Sequence, residues 1–142
     1  NIVVVGKKNK WIADLFKNIR ICDVNYIEWI EDYNDICVIG QDVHCLPLLI
    51  GAGTKNRTLT ALANGLEVIS TPIGLENINL EKLSSIYITK DPKIFVKYMY
   101  KLNNKTFGEL DIENLIRERL CFRKEINIRY NKDFIEFVLN EV

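Results

Sequence analysis

The sequence has no surplus of either charge: 19 basic residues stand against 19 acidic ones in 142 positions. A dedicated nucleic-acid binder gathers a clear excess of Lys and Arg on one surface to neutralise phosphates, so nucleic acid is not an expected partner. Long apolar runs are also missing. None approaches the roughly 20 residues that a membrane-spanning helix needs, and the N-terminus lacks the charged, apolar and small-residue order of a signal peptide. The expectation is a cytoplasmic protein with no transmembrane segment. Histidine occurs once, and the four cysteines (Cys22, Cys37, Cys45 and Cys121) form no CxxC pair and have no His at metal-ligand spacing. No metal site is expected, and the cysteines read as buried free thiols. His44 adjoins Cys45, but neighbours on an extended chain point to opposite sides, so the pair reads as structural and not as a catalytic dyad.

What is present is an ordinary globular composition, 48% hydrophobic and 27% charged, in a length that suits one domain over residues 1–142. The chain opens on the β-branched run Ile2, Val3, Val4, Val5 before Gly6, a buried strand by composition. That abrupt start suggests a piece cut from a longer protein. A helix capped by Asn9 should follow, with Trp11, Ile12, Leu15, Phe16 and Ile19 on one apolar face. A weaker strand over residues 19–24, a short helix carrying Ile27, Trp29, Ile30 and Tyr33, and a third strand over 36–39 continue the alternation. Residues 45–48 read as a loop. Beyond it, a glycine-rich turn opens a helix through Leu59, Leu62 and Ala63 that stops at Gly65.

Strands are expected over 67–70 and 86–88, and then a helix capped by Asp91 with Pro92 in its first turn, its face formed by Ile94, Phe95, Tyr98, Met99 and Leu102. Two further helical segments carry Leu115, Ile116, Leu120 and then Phe134, Phe137, Val138. Strands alternating with helices imply parallel pairing, hence a Rossmann-like three-layer α/β/α domain with a mostly parallel sheet of about five or six strands.

In such sheets ligands bind beyond the carboxyl ends of the strands, and two segments qualify. The first is Gly51, Ala52, Gly53, Thr54, Lys55 and Arg57. Its glycines permit close backbone approach, while the free N–H groups and the dipole of the following helix attract anions, as a diphosphate would require. Cations in the first turn oppose the helix dipole unless an anion is present. The second is the turn Thr71, Pro72, Ile73 and Gly74, continuing to Glu76 and Asn77. Lys7 and Lys8, after the first strand's glycine, are further candidate phosphate contacts. The glycine turn fits neither the Walker pattern nor GxGxxG with an acidic residue about 20 positions on.

The run GAGTKNRTLTALANGLEVISTPIGLENI, residues 51–78, resembles without a gap the donor-site core of group 1 (family 4-like) glycosyltransferases, often close to GAGTRLKILEALAMGKPVVSTPVGAEGL. The flanks VVVGKKN, IYITKDPKIFVKYMYKL and NIRYNKDFIEFVLNEV resemble that family's opening strand, later strand and helix, and closing helix. The resemblance implies the C-terminal half of a GT-B fold, which binds a nucleotide diphosphate sugar as donor substrate with no separate cofactor. A missing N-terminal acceptor domain or partner chain would complete the cleft in which transfer occurs, so this chain alone would bind donor and not transfer sugar. The catalytic residues are not legible.

The departures carry information. At Thr60 the family has a Glu that binds the ribose hydroxyls, and a threonine offers one weaker bond in place of a charge-assisted pair. Its loss costs about 1.5–3 kcal/mol. At Ala52 the first glutamate of the family's pair is absent, as is common in the GAGT branch. Glu67 replaces a Pro and Arg57 a Lys. An alternative expectation is therefore a non-catalytic relative that keeps the fold as a binding or scaffolding domain. A sugar-nucleotide epimerase half is a third reading, but it would need acid–base residues the sequence does not display.

Overall fold

The computed structural model describes residues 1–7, 10–17, 22–32 and 35–140, with the side chains of Lys10 and of residues 127–140 excepted. The chain forms two compact units, residues 1–36 and 37–142, each described by itself.

The first unit is a strand–helix–strand motif. Strand β1 (Ile2–Val5) and strand β2 (Val24–Ile27) pair in parallel, Ile2 opposite Val24 and Val5 opposite Ile27, with helix α1 (Lys10–Phe16) between them. The amide of Gly6 extends the ladder to the carbonyl of Ile27 at 2.9 Å. The opening strand is where its composition predicts, but it is not the buried strand expected: Val3 is exposed and Ile2, Val4 and Val5 are half-buried. The second strand lies later than expected, and Ile27 ends it instead of beginning a helix. Helix α1 buries its surface differently from the expected face: Ile12, Ala13 and Phe16 are half-buried, while Trp11 and Leu15, one turn apart, are exposed. Asn9, Ile19 and Tyr33 lie outside the described residues.

The second unit is built on a three-stranded parallel sheet, β3 (Val43–Leu46), β4 (Glu67–Ser70) and β5 (Ile86–Ile88), in that order. Leu46 stands opposite Ser70, and Ser70 opposite Ile88. All four β4 residues are buried, the pattern of a central strand covered on both faces. Alternation places Glu67 and Ile69 on one face and Val68 and Ser70 on the other. Ile69 joins Phe95 and Leu102 of helix α3 (Pro92–Asn103), with Val43, Tyr87, Tyr98 and Met99 packed around them. Helix α2 (Asn56–Ala63) also contacts β4, and it contacts helix α4 (Glu109–Asn140) as well. Buried Ala61, Leu62, Leu66, Leu115 and Phe122 belong to these elements and their junctions.

Local chemistry explains the ends of the helices. The Asp91 carboxylate accepts from the Lys93 amide at 2.8 Å with Pro92 in the first turn, as expected. Helix α2 ends before Gly65, whose φ of 71° is the left-handed conformation glycine adopts most readily; the Leu66 amide returns to the Ala61 carbonyl at 3.1 Å.

Three expectations fail here. Residues 36–39 form no strand. Gly40 (φ 80°) and Asp42 close a turn in which the Asp42 carboxylate accepts from the Val38 amide at 2.7 Å, so turn chemistry overrides β-propensity. The strand forms instead at Val43–Leu46, whose last two residues, Cys45 and Leu46, open the loop read above over 45–48. The last two helical segments are one continuous helix, α4; Leu115 is buried but Ile116 and Leu120 are exposed, and the side chains of Phe134, Phe137 and Val138 lie outside the described residues. Finally, the five strands among the described residues fall in two sheets of two and three strands, not in one sheet of five or six. The coarser expectation, a mixed α/β chain with parallel strands, holds.

Glu67 resolves into a clasp. It is 4% exposed, and its Oε1 accepts from Lys105 Nζ at 3.2 Å and from the Tyr87 hydroxyl at 3.5 Å, while Oε2 is buried without a hydrogen bond among the described residues. Lys105 also lies 4.1 Å from the centre of the Phe107 ring. The clasp thus ties the β4 start to the connection between α3 and α4. Removing one partner of a buried pair strands the other charge at about 3–5 kcal/mol, and Lys105 is a third exposed (32%), so a smaller loss applies. Lys105→Met is expected to lower the unfolding free energy by about 2 kcal/mol in urea titrations, and adding Glu67→Gln to it should recover most of the loss. Equal stability of Lys105→Met and parent would show that the clasp contributes nothing.

Candidate functional site

Because β3, β4 and β5 are parallel, the segments after Leu46, Ser70 and Ile88 leave the sheet at the same edge. The first carries the glycine turn. Leu46 is buried, the Thr71 hydroxyl donates to the Leu48 carbonyl, and Leu49 and Ile50 stand 77% and 86% exposed before Gly51. Gly51, Ala52, Gly53 and Thr54 are all exposed. Gly53 has a φ of 71°, and a Cβ on Gly51 would lie 3.3 Å from Lys55 Cε and 4.0 Å from Ile73 Cγ2. Gly51 is therefore where the first segment, the Lys55 stem and the second segment meet.

Lys55 is the N-cap of α2, in extended conformation, and its side chain makes no capping hydrogen bond. The amides of Thr58 and Leu59 reach the Lys55 carbonyl at 3.0 and 3.1 Å; the amides before them have no partner within the helix by its geometry. Lys55 Nζ donates to the Gly53 carbonyl and pairs with Glu76 Oε2 at 3.3 Å. Arg57 is exposed in the first turn. The end of α2 nearest the glycine turn thus presents amides without intrahelical partners, the positive end of the helix dipole, the exposed Arg57 and a Lys55 paired with Glu76.

The second segment is a 3-10 turn, Pro72–Leu75, held from three sides. The buried Thr58 hydroxyl donates to the Gly74 carbonyl at 2.6 Å. The Ser70 hydroxyl donates to the carbonyls of Leu46 (3.3 Å) and Thr71 (2.9 Å). A Cβ on Gly74 would meet Ser70 Oγ at 2.1 Å and Leu46 Cδ2 at 3.0 Å, so only glycine fits. Glu76 follows, and Asn77 has a φ of 63°, the left-handed region that asparagine tolerates better than most residues.

Among the predicted site residues, Gly51, Lys55 and Ile73 are brought together, with Ala52, Gly53 and Thr54 beside them and Pro72 exposed. Thr71 and Gly74 are buried and shape the turn. Thr60 is exposed, and its hydroxyl donates to the Asn56 carbonyl at 2.9 Å, so it is engaged within α2. Lys7 is an exposed residue of the first unit, and Lys8 lies outside the described residues. Sequence reasoning missed Thr58, whose signal is a polar residue where the resembling family has an apolar one. It also left Glu76 without a partner.

Charge extends to the neighbouring strand. Burial first, and then the nearby Arg57 guanidinium, lower the His44 pKa to about 4. Cys45 is an exposed residue, but the protein around its sulfur desolvates the thiol and raises its pKa to about 11. A thiolate–imidazolium pair is disfavoured at both partners. Cys121 is also exposed, and Cys22 and Cys37 are only half-buried, so the expectation of buried cysteines fails at all four positions. Among the described residues there is no group of three or more His, Cys, Asp or Glu side chains suited to a metal ion, and no helix is long and apolar enough to cross a membrane.

No family model and no solved structure matches this chain. It is similar to the "Uncharacterized 44.6 kDa protein in cps region" of Klebsiella pneumoniae, 30% identical over 109 residues. The matched stretch covers 74% of this chain and 28% of that protein, so the chain spans under a third of its relative's length.

The folded state holds His44 neutral, with its pKa lowered from 6.5 to about 4. This contribution to stability is complete above pH 6.5 and is lost as pH falls through the window down to about 4, amounting to roughly 2–4 kcal/mol. As His44 is the chain's one histidine, its imidazole NMR titration reads the value directly. A midpoint near 4 is expected, and a midpoint near 6.5 would contradict the burial of the ring.

Proposed function

We propose that this chain is the donor-binding half of a glycosyltransferase, in which a Rossmann-like α/β/α domain holds the diphosphate of a nucleotide sugar at the N-terminus of α2. The observation that carries the reading is the uncapped start of α2 directly after the exposed turn of Gly51, Ala52, Gly53 and Thr54, with Lys55 and Arg57 in place to meet an anion. The ungapped resemblance over residues 51–78 supports it independently, and the cps region in the relative's name agrees with a sugar-transfer setting. Helix N-terminus and cations would bear the charge that develops on a departing diphosphate. The acceptor would be bound by a further domain or partner chain, in the cytoplasm where nucleotide sugars are drawn upon.

A second reading, a non-catalytic relative, is favoured by one observation. Thr60 stands where the family has its ribose carboxylate, and its hydroxyl is committed to the Asn56 carbonyl. Calorimetric titration with uridine, guanosine, adenosine and thymidine diphosphate sugars separates the two. The donor reading predicts saturable binding of one of them, strengthened about tenfold by Thr60→Glu through a restored charge-assisted bond. Absence of binding to both parent and variant at millimolar concentration would favour the second reading.

A further inference from the structure

We propose that Glu76 gates the anion site and makes it selective for diphosphates that carry hydroxyl groups over bare phosphates; this rests on the donor-binding reading above. Lys55 is the best-placed cation for an anion at the start of α2, yet it does not extend into solvent. Its side chain is only 14% exposed and lies across Gly51, with Nζ held by the Gly53 carbonyl and the Glu76 carboxylate. An arriving phosphate meets a cation already neutralised, with a carboxylate 3.3 Å from it. Either the phosphate displaces Glu76 from Lys55, or like-charge repulsion lowers its affinity.

The geometry lets Glu76 yield without the loop yielding. Its backbone sits in a clamped segment: Thr58 holds Gly74, the Glu76 amide reaches the Ile73 carbonyl at 3.4 Å, and the Ile78 amide reaches the Leu75 carbonyl at 3.1 Å. The carboxylate itself is 45% exposed and free to rotate away. Once Lys55 is handed to a phosphate, Glu76 is a half-solvated acceptor beside the bound anion. A sugar or ribose hydroxyl pair satisfies it, because a carboxylate accepts two hydrogen bonds from neighbouring hydroxyls. Inorganic pyrophosphate has no such pair of neighbouring alcohol hydroxyls.

The test compares Glu76→Gln with the parent 142-residue chain, following the amides of residues 51–57 by NMR during titration with inorganic pyrophosphate and with the nucleotide sugar that binds best. Glutamine keeps the shape and removes the charge, so pyrophosphate should bind about fivefold more tightly, the scale of one exposed ion pair, while the nucleotide sugar gains nothing. The preference for nucleotide sugar over pyrophosphate then falls by about that factor. If both ligands saturate the same amides and the preference is unchanged, the gate is overturned and the anion site stands. If neither ligand moves these amides in either protein, the anion reading fails and the gate with it.

Discussion

The hydroxyl of Thr58 donates to the carbonyl of Gly74 at 2.6 Å, both buried, and the geometry of the second unit's candidate site depends on that contact. It joins the first turn of α2 to the turn that follows β4, two segments 16 residues apart in the chain. Without it, the carbonyl would be buried and unpaired, a cost of about 1–3 kcal/mol, and the direct tie between the first turn of α2 and the turn that leads to Glu76 would be lost. Gly74 completes the constraint by letting this turn lie directly on Ser70 and Leu46.

A fully buried β4 makes this possible. Its four residues are all buried and the strand contacts both α2 and α3, so the loop at its carboxyl end starts from a packed strand. The Glu67–Lys105 pair anchors the opposite end. The strand where the resembling family begins with Pro carries a charge here, and the charge is matched by a lysine from the α3–α4 connection. At two positions where the sequence departs from the family it resembles, the side chain has a local partner: Lys105 for Glu67 and the Asn56 carbonyl for Thr60. The first pairing preserves the fold; the second removes the hydroxyl from any easy role with a ligand, which is why the proposed donor site leans on Lys55, the helix N-terminus and Glu76.

Much of this was legible in the sequence where one local signal acts alone. The Asp91–Pro92 helix start, the Gly65 stop, and the strands at 2–5, 67–70 and 86–88 follow from capping, αL glycine and β-branched runs. Legibility ended where two signals competed. Residues 36–39 have strand composition, but Gly40 and Asp42 close a turn on them, and the ladder moves to Val43–Leu46. Trp11 and Leu15 match helical spacing, but spacing alone does not say which of two apolar stripes is buried. The glycine turn was visible by motif, whereas the roles of Thr58 and Glu76 were not, because each depends on a partner brought near only by the parallel register of β3 and β4.

The most direct test of the claim that Thr58 makes these two segments one receptor is native-state hydrogen exchange of Thr58→Val, which keeps the shape and deletes the hydroxyl. The account predicts faster exchange confined to the amides of Gly74, Glu76 and Ile78 and to the first turn of α2, with Val68 protected as in the parent. Unchanged protection at Gly74, Glu76 and Ile78 would contradict it.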